Sequence, residues 1–212
     1  MRYETALDLI KAGRSIREFT DEAISREAIE YILDAAYHAP AGSNNRGIWI
    51  IVVDEPALKA EVRRRCEPYD EQWIQSRPEP QRSRLLGLKR DKDYLTICPV
   101  LLVVVSEVGN PDYPCAHESA WTAIENMCLA VTDLGLGTVT YTPGILRMAG
   151  QQAPHDLLGL PDKKRIHAIM PIGHINHAKL PPVTKEPDFR RKIFRNRYEN
   201  PSPCADRPVQ AG

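Results

Sequence analysis

Two short polar stretches hold the residues whose types and spacing could do chemistry. The first, Gly13-Arg14-Ser15-Ile16-Arg17-Glu18-Phe19, sets two guanidiniums around a serine hydroxyl. Two arginines and a hydroxyl on one loop offer the directional, charge-assisted bonds that a phosphate takes. The same residues also suit a solvated loop in which Arg14 and Arg17 pair with Glu18 and Asp21, and exposed pairs of that kind contribute little. The second stretch is Ala39-Pro40-Ala41-Gly42-Ser43-Asn44-Asn45-Arg46. Here Gly42 and Ser43 let a ligand come close to the backbone. Asn44 presents both a donor and an acceptor, which matches the edge of a flat heterocycle. An ordinary turn between a helix and a strand uses the same residue types.

The elements that must position these stretches follow from periodicity. Residues 4–12 (ETALDLIKA) read as a short helix ending near Gly13. From about Arg26 a second helix carries Ile29, Ile32, Leu33 and Ala36 on one stripe, and Pro40 closes it. Ile48–Val53 (IWIIVV) is a buried-strand run, and Pro56 begins a third helix expected to reach about Arg65. Residues 66–93 are charged, proline-bearing and weakly periodic, so they read as an excursion or lid, with room for a short helix in QRSRLLGLKRD. A second strand, Pro99–Ser106, precedes a long helix from about Ser119 to Leu134 that is apolar on more than one face. Such a helix is either central to the core or buried by a partner subunit. Gly135-Leu136-Gly137 reads as its C-cap rather than a phosphate loop, because no third glycine follows. A strand over Thr138–Thr142, a short helix through Leu158 and a strand over Ile166–Ile172 come next. The uneven alternation fits an α+β, three-layer α/β/α sandwich around a mixed, mainly antiparallel sheet.

Composition removes several function classes. The chain has 212 residues, is 42% hydrophobic and 26% charged, and has no formal net charge. Neither a nucleic acid nor an anionic membrane is expected as its main partner. No signal-like N-terminus or membrane-length apolar run is present, and a cytoplasmic protein is expected. The five cysteines form no CxxC pair and read as reduced thiols, and the histidines form no metal-ligand pattern, so no metal site is expected. The proline-rich segment after Gly173 is poorly patterned and is expected to lie along another subunit or to be partly disordered.

Taken together and in order, several stretches resemble the nitroreductase family of FMN-dependent oxidoreductases. They are R-S-I-R-E-F (14–19), A-P-A-G-S-N-N-R (39–46) leading into IWIIVV, C-P-V-L-L-V-V-V (98–105), A-I-E-N-M-C-L-A-V-T-D-L-G-L-G-T (123–138), L-L-G-L-P (157–161) and P-I-G-H (171–174). The resemblance implies one FMN-binding domain over residues 1–200 with a flexible tail over 201–212. It implies a homodimer, with the helix of residues 119–134 at the interface and the tail reaching the partner. FMN would be the cofactor, with Arg14, Ser15 and Arg17 at its phosphate and ribityl chain. Ala41, Gly42 and Asn44 would lie beside the flavin from the partner subunit, and Pro143 and Gly144 near the N5 edge of its ring. A basic tail residue would complete the phosphate site: Lys185, with Arg190 and Arg191 as alternatives. The implied reaction is ping-pong hydride transfer from NADH or NADPH through bound flavin to a small electron-poor acceptor, a nitroaromatic or quinone. Reductive dehalogenation, flavin modification and a non-catalytic flavin-binding module are the alternatives. His117 and Glu118 either border this pocket or lie on a surface loop. Two positions depart from the family pattern. Gly13 stands where an arginine is common, and Arg46-Gly47-Ile48 replaces Gln-Pro-Trp. Arg46 would then bring a positive charge towards N1 and the C2 carbonyl of the ring.

Overall fold

A single strand buried on both faces organises the architecture. The computed structural model describes residues 3–44, 46–89, 94–107, 109–142, 153–180 and 194–198. In it Val100–Ser106 forms β2, every residue of which is buried. Cover on both faces explains why this segment is continuously apolar instead of alternating. β2 pairs antiparallel with β1 (Ile48–Val53) on one side and with β4 (Arg165–Gly173) on the other. The two-residue β3 (Gly137–Thr138) joins β4, giving the order β1-β2-β4-β3 among the described residues. All three ladders are antiparallel, and Ser15 adds a parallel bridge to Thr138. The expected mixed, mainly antiparallel sheet is what forms.

One face of the sheet is covered by α2 (Arg26–Tyr37) and α6 (Ala116–Asp133). Ile32 and Ala36 of α2 meet Ala123, Ile124, Met127 and Val131 of α6 over Leu102, Val104, Ala168, Met170 and Ile172. The short α1 (Ala6–Ala12) also touches α6. It is held by a capping box: Thr5 Oγ1 accepts from the Asp8 N–H, and the Asp8 carboxylate accepts from the Thr5 N–H. The several apolar sides of α6 are therefore taken up within the chain by α1, α2 and the sheet. Its C-terminus closes as a Schellman turn: Leu136 N–H donates to Val131 O and Gly135 N–H to Thr132 O, each at 3.0 Å, with Gly135 at φ +72°. The Gly-Leu-Gly run is the C-cap it was read to be.

Towards the other side lie α3 (Pro56–Gln75), α4 (Gln81–Lys89), α5 (Tyr94–Ile97) and α7 (Ala153–Leu157). The helix expected to stop near Arg65 runs ten residues further. Its buried stripe is Lys59, Val62, Cys66, Asp70 and Ile74, a helical spacing masked because two of the five positions are charged. Pro68 removes one backbone donor inside the helix. Pairs of Glu61 with Arg64 (2.6 Å) and Arg65 (2.8 Å), and of Arg63 with Glu67 (3.2 Å), support the turns around it.

The expected strand over Thr138–Thr142 is shorter: β3 ends at Thr138. Tyr141 then rejoins the sheet through two backbone bonds with Ile169, of 3.1 and 2.9 Å. The chain divides into two compact units, Met1–Lys179 and Leu180–Gly212, and every element above belongs to the first. In the second, the Phe194 and Tyr198 rings stack with centroids 4.5 Å apart.

Candidate functional site

Residues 14–20 run extended along the edge of β3. Ile16 N–H donates to Thr138 O at 2.8 Å, and Thr20 N–H donates to His174 O at 3.0 Å. Ile16 and Phe19 are buried plugs. Ile16 occupies the place where a Cβ on Gly137 would stand, 2.7 Å from its Cγ2, and Phe19 does the same against Gly173 at 2.9 Å. With the apolar residues anchoring the segment, Arg14 and Ser15 are exposed and Arg17 is half-buried. Arg17 lines a cavity of about 210 Å³ together with Asp70, Trp73, Leu85, Tyr94 and residues 139–142.

The cavity wall is aromatic and holds hydroxyls. Arg17 hydrogen-bonds Tyr94, and burial pushes the Tyr94 hydroxyl up to about 12, with the Arg17 charge opposing that rise. The Tyr94 and Tyr141 rings meet edge to face, 6.2 Å between centroids. Tyr141 donates its hydroxyl proton to Asp70 Oδ2 at 2.5 Å. Burial first, then neighbouring negative charge, raises the Tyr141 pKa, so this phenol stays protonated.

The second stretch is held at the other end of α6. Gly42–Asn44 forms one 3₁₀ turn, with Ser43 and Asn44 both at φ +54°. Two successive non-glycine residues in the left-handed region cost about 1–2 kcal/mol each, and such strain persists where surrounding contacts enforce it. Those contacts are visible. Gly42 N–H donates to Ser119 Oγ (3.3 Å), Thr122 Oγ1 to Pro40 O (2.7 Å) and Asn126 Nδ2 to Ala35 O (3.0 Å). A Cβ at Gly42 would stand 2.7 Å from Cys115 Sγ, and one at Gly47 would stand 2.5 Å from Tyr113 Cγ. Ala41 is half-buried, and Ser43 and Asn44 are left exposed. Arg46 places its guanidinium 4.8 Å above the exposed Tyr37 ring, and its Nε is buried with no hydrogen-bond partner among the described residues.

The two stretches do not meet within one chain. Gly42 sits against Ser119, whereas Gly13 approaches Thr132 at the far end of the same helix. At 1.5 Å per residue, Ser119 and Thr132 are roughly 20 Å apart. Pro143, Gly144, Lys185, Arg190, Arg191 and Asn45 lie outside the described residues. Thr142, which directly precedes Pro143, lines the Arg17 cavity. His117 is exposed and packs against His167 and Trp121, with centroids 5.0 and 6.3 Å apart. Burial raises the thiol pKa of Cys98 to about 12 and also raises that of Cys128, so neither is an activated nucleophile.

Sequence reasoning missed Asp70, Trp73, Leu85, Tyr94 and Tyr141. The first three fall inside the segment read as an excursion. The signal for Asp70 was the 59, 62, 66, 70, 74 spacing, visible only if charged residues are allowed on a buried stripe.

The model of the nitroreductase family matches residues 10–174. The chain belongs to this family. Its members are FMN-dependent oxidoreductases, and the chain is an enzyme of that class. An iodotyrosine deiodinase of Thermotoga neapolitana is 32% identical over 81% of this chain and 89% of its own length. A crystal structure of oxidized iodotyrosine deiodinase bound to FMN and 3-iodo-L-tyrosine superposes with a TM-score of 0.75 at 29% identity, covering 90% of this chain and 100% of that one. A nitroreductase with bound FMN from Bacteroides fragilis, 21% identical over 91% of this chain and 100% of its own, shares the fold with a TM-score of 0.70. Among the described residues no helix is long and apolar enough to cross a membrane.

Proposed function

We propose that the chain binds FMN in a site shared by two copies and uses it to reduce small aromatic molecules. Removal of halide from a halogenated phenol is its first-ranked reaction. The observation that carries the shared site is the separation of the two stretches: Gly13, at the head of the arginine stretch, approaches Thr132 at one end of α6, and Gly42–Asn44 stands exposed at the other. A two-fold axis crossing the middle of α6 would set Gly42–Asn44 of one copy against Arg17 of the other. The cavity of one chain, about 210 Å³, is smaller than the roughly 300 Å³ at the low end of small-molecule sites. Leu7, Ile10, Tyr37 and Trp121, large and exposed, would give such a contact apolar area.

The residues present fit the cofactor. Arg14, Ser15 and Arg17 are a donor set suited to a phosphate and stand on a segment whose apolar anchors fix their direction. Trp73, Tyr94 and Tyr141 supply flat apolar walls. Asn44 would offer an amide to the ring edge from the second copy, and Arg46, carried on Tyr37, a positive charge nearby. The family resemblance implies Pro143 and Gly144 near the N5 edge of the ring and Lys185 as a cation at the phosphate. Bound FMN supplies the electrons, drawn from NADH or NADPH. In the dehalogenation a carbon–halogen bond breaks and a carbon–hydrogen bond forms, consuming two electrons and one proton and releasing halide. The chain's own residues hold the reactants and exclude water. A cytoplasmic location agrees with the reduced thiols.

The deiodinase relatives favour dehalogenation over the nitro- and quinone-reduction expected from the family pattern alone. FMN-loaded protein, reduced with dithionite under anaerobic conditions and given 3-iodo-L-tyrosine, should release one iodide per flavin as the flavin reoxidises. No iodide, with reoxidation by a nitroarene instead, moves the function to nitro reduction.

A further inference from the structure

The flavin reading leaves a buried carboxylate unused. Asp70 is 4% exposed, in the second half of α3, and its carboxylate accepts the hydroxyl of Tyr141. A carboxylate buried this deeply is costly to desolvate, and it persists where hydrogen bonds and nearby charge answer it. Tyr141 is itself fixed: both of its backbone groups bond Ile169 of β4. The pair therefore joins the rigid sheet to a helix. One turn beyond Asp70, Trp73 and Ile74 line the cavity, and Leu85 of α4 lines it beside them. Towards the site, Tyr141 is followed by Thr142, on the same cavity wall as Arg17. Near the start of α3, Lys59 donates to the carbonyls of Cys98 (2.5 Å) and Pro99 (3.1 Å), just before β2. With its first turns tied there, α3 has in Asp70 a buried polar tie at its cavity end.

We propose that Asp70 and Tyr141 are a positioning pair that holds α3 and α4 over the Arg17 end of the cavity and so retains the bound cofactor; this rests on the flavin reading above. Tyr141 lines the cavity and its hydroxyl is held by Asp70, so the pair's effect is on how long the cofactor stays, through where Tyr141, Trp73 and Leu85 stand.

The test follows FMN release from loaded protein, read as the recovery of free-flavin fluorescence after dilution. Tyr141→Phe removes this hydrogen bond from the buried Asp70 carboxylate, so it lowers the melting temperature and speeds release. Asp70→Leu combined with Tyr141→Phe replaces both members of the bond by apolar residues and takes the buried carboxylate away, which restores part of the stability. Release from this double variant should still be about tenfold faster than wild type, the size of one lost hydrogen bond. Should Tyr141→Phe alone not fold, the double variant carries the comparison. A wild-type rate in the double variant overturns the pairing, because the tie would then serve stability alone. A wild-type chain that takes up no FMN overturns the flavin reading itself, which is a separate outcome.

Discussion

Gly42 shows how one missing methyl group shapes the candidate site. Cys115 fills the space a side chain would need, and the resulting turn leaves Asn44 exposed with φ +54°. Gly42→Ala should therefore cost about 1–3 kcal/mol by overpacking, measured as a lower midpoint in urea. An unchanged midpoint would show that the loop yields freely and that the turn is not enforced. Residues of this kind were legible in the sequence. The Arg14, Ser15, Arg17 group and the Gly42, Asn44 group stood out because polar and small residues clustered between apolar runs. Asp70 and Tyr141 were not legible, because a carboxylate and a phenol distant in sequence become a pair only when α3 crosses the sheet. Cys98 and Cys128 carry no comparable role, since burial holds both thiols protonated.

Elements were read well where hydrophobic period and punctuation agreed. β1 begins and ends at the residues expected, and α2 ends just before Pro40. α6 starts three residues earlier than read, since its first turn carries Ala116, His117 and Glu118 and shows little apolar pattern. The second half of α3 was lost to Pro68 and to the charged residues on its buried stripe. Lys59 makes the point in energetic terms. Lys59→Met would leave the Cys98 and Pro99 carbonyls without their donor and should cost about 1–3 kcal/mol, checked by chemical denaturation. Stability equal to wild type would mean that water or another donor replaces the ammonium.

The sheet end carries its own pH dependence. His167 Nε2 lies 2.5 Å from Ser106 Oγ, both residues buried, and the His117 ring packs on it. Burial, and then the proximity of His117, lowers the His167 pKa from 6.5 to about 4. The folded state resists protonation that the unfolded chain accepts. Stability is then complete above pH 6.5 and is lost as pH falls towards 4, by up to roughly 3 kcal/mol. His167→Asn should flatten the decline between pH 6.5 and 5, where most carboxylates do not yet titrate. An equally steep decline in that variant would assign it to other groups.

At the scale of the whole molecule, the proposed flavin site is shared between two copies of the chain. The apolar excess of α6 is spent inside the chain, so it does not by itself require a partner. The proposal of one rests on the separation along α6 of Gly13, beside Thr132, from Gly42, beside Ser119, together with the exposed Leu7, Ile10, Tyr37 and Trp121. Membership of the nitroreductase family and the order of layers were legible because many short motifs occur in sequence order. The reaction was less legible, because the residues lining the cavity lie on the helices whose pattern was hidden. Sedimentation velocity of the purified chain with added FMN, followed at a wavelength only flavin absorbs, tests the shared site most directly. A shared site sends the flavin signal with a particle of twice the chain's mass and none with the monomer. Flavin bound to a monomer, or a dimer that carries no flavin, would contradict it.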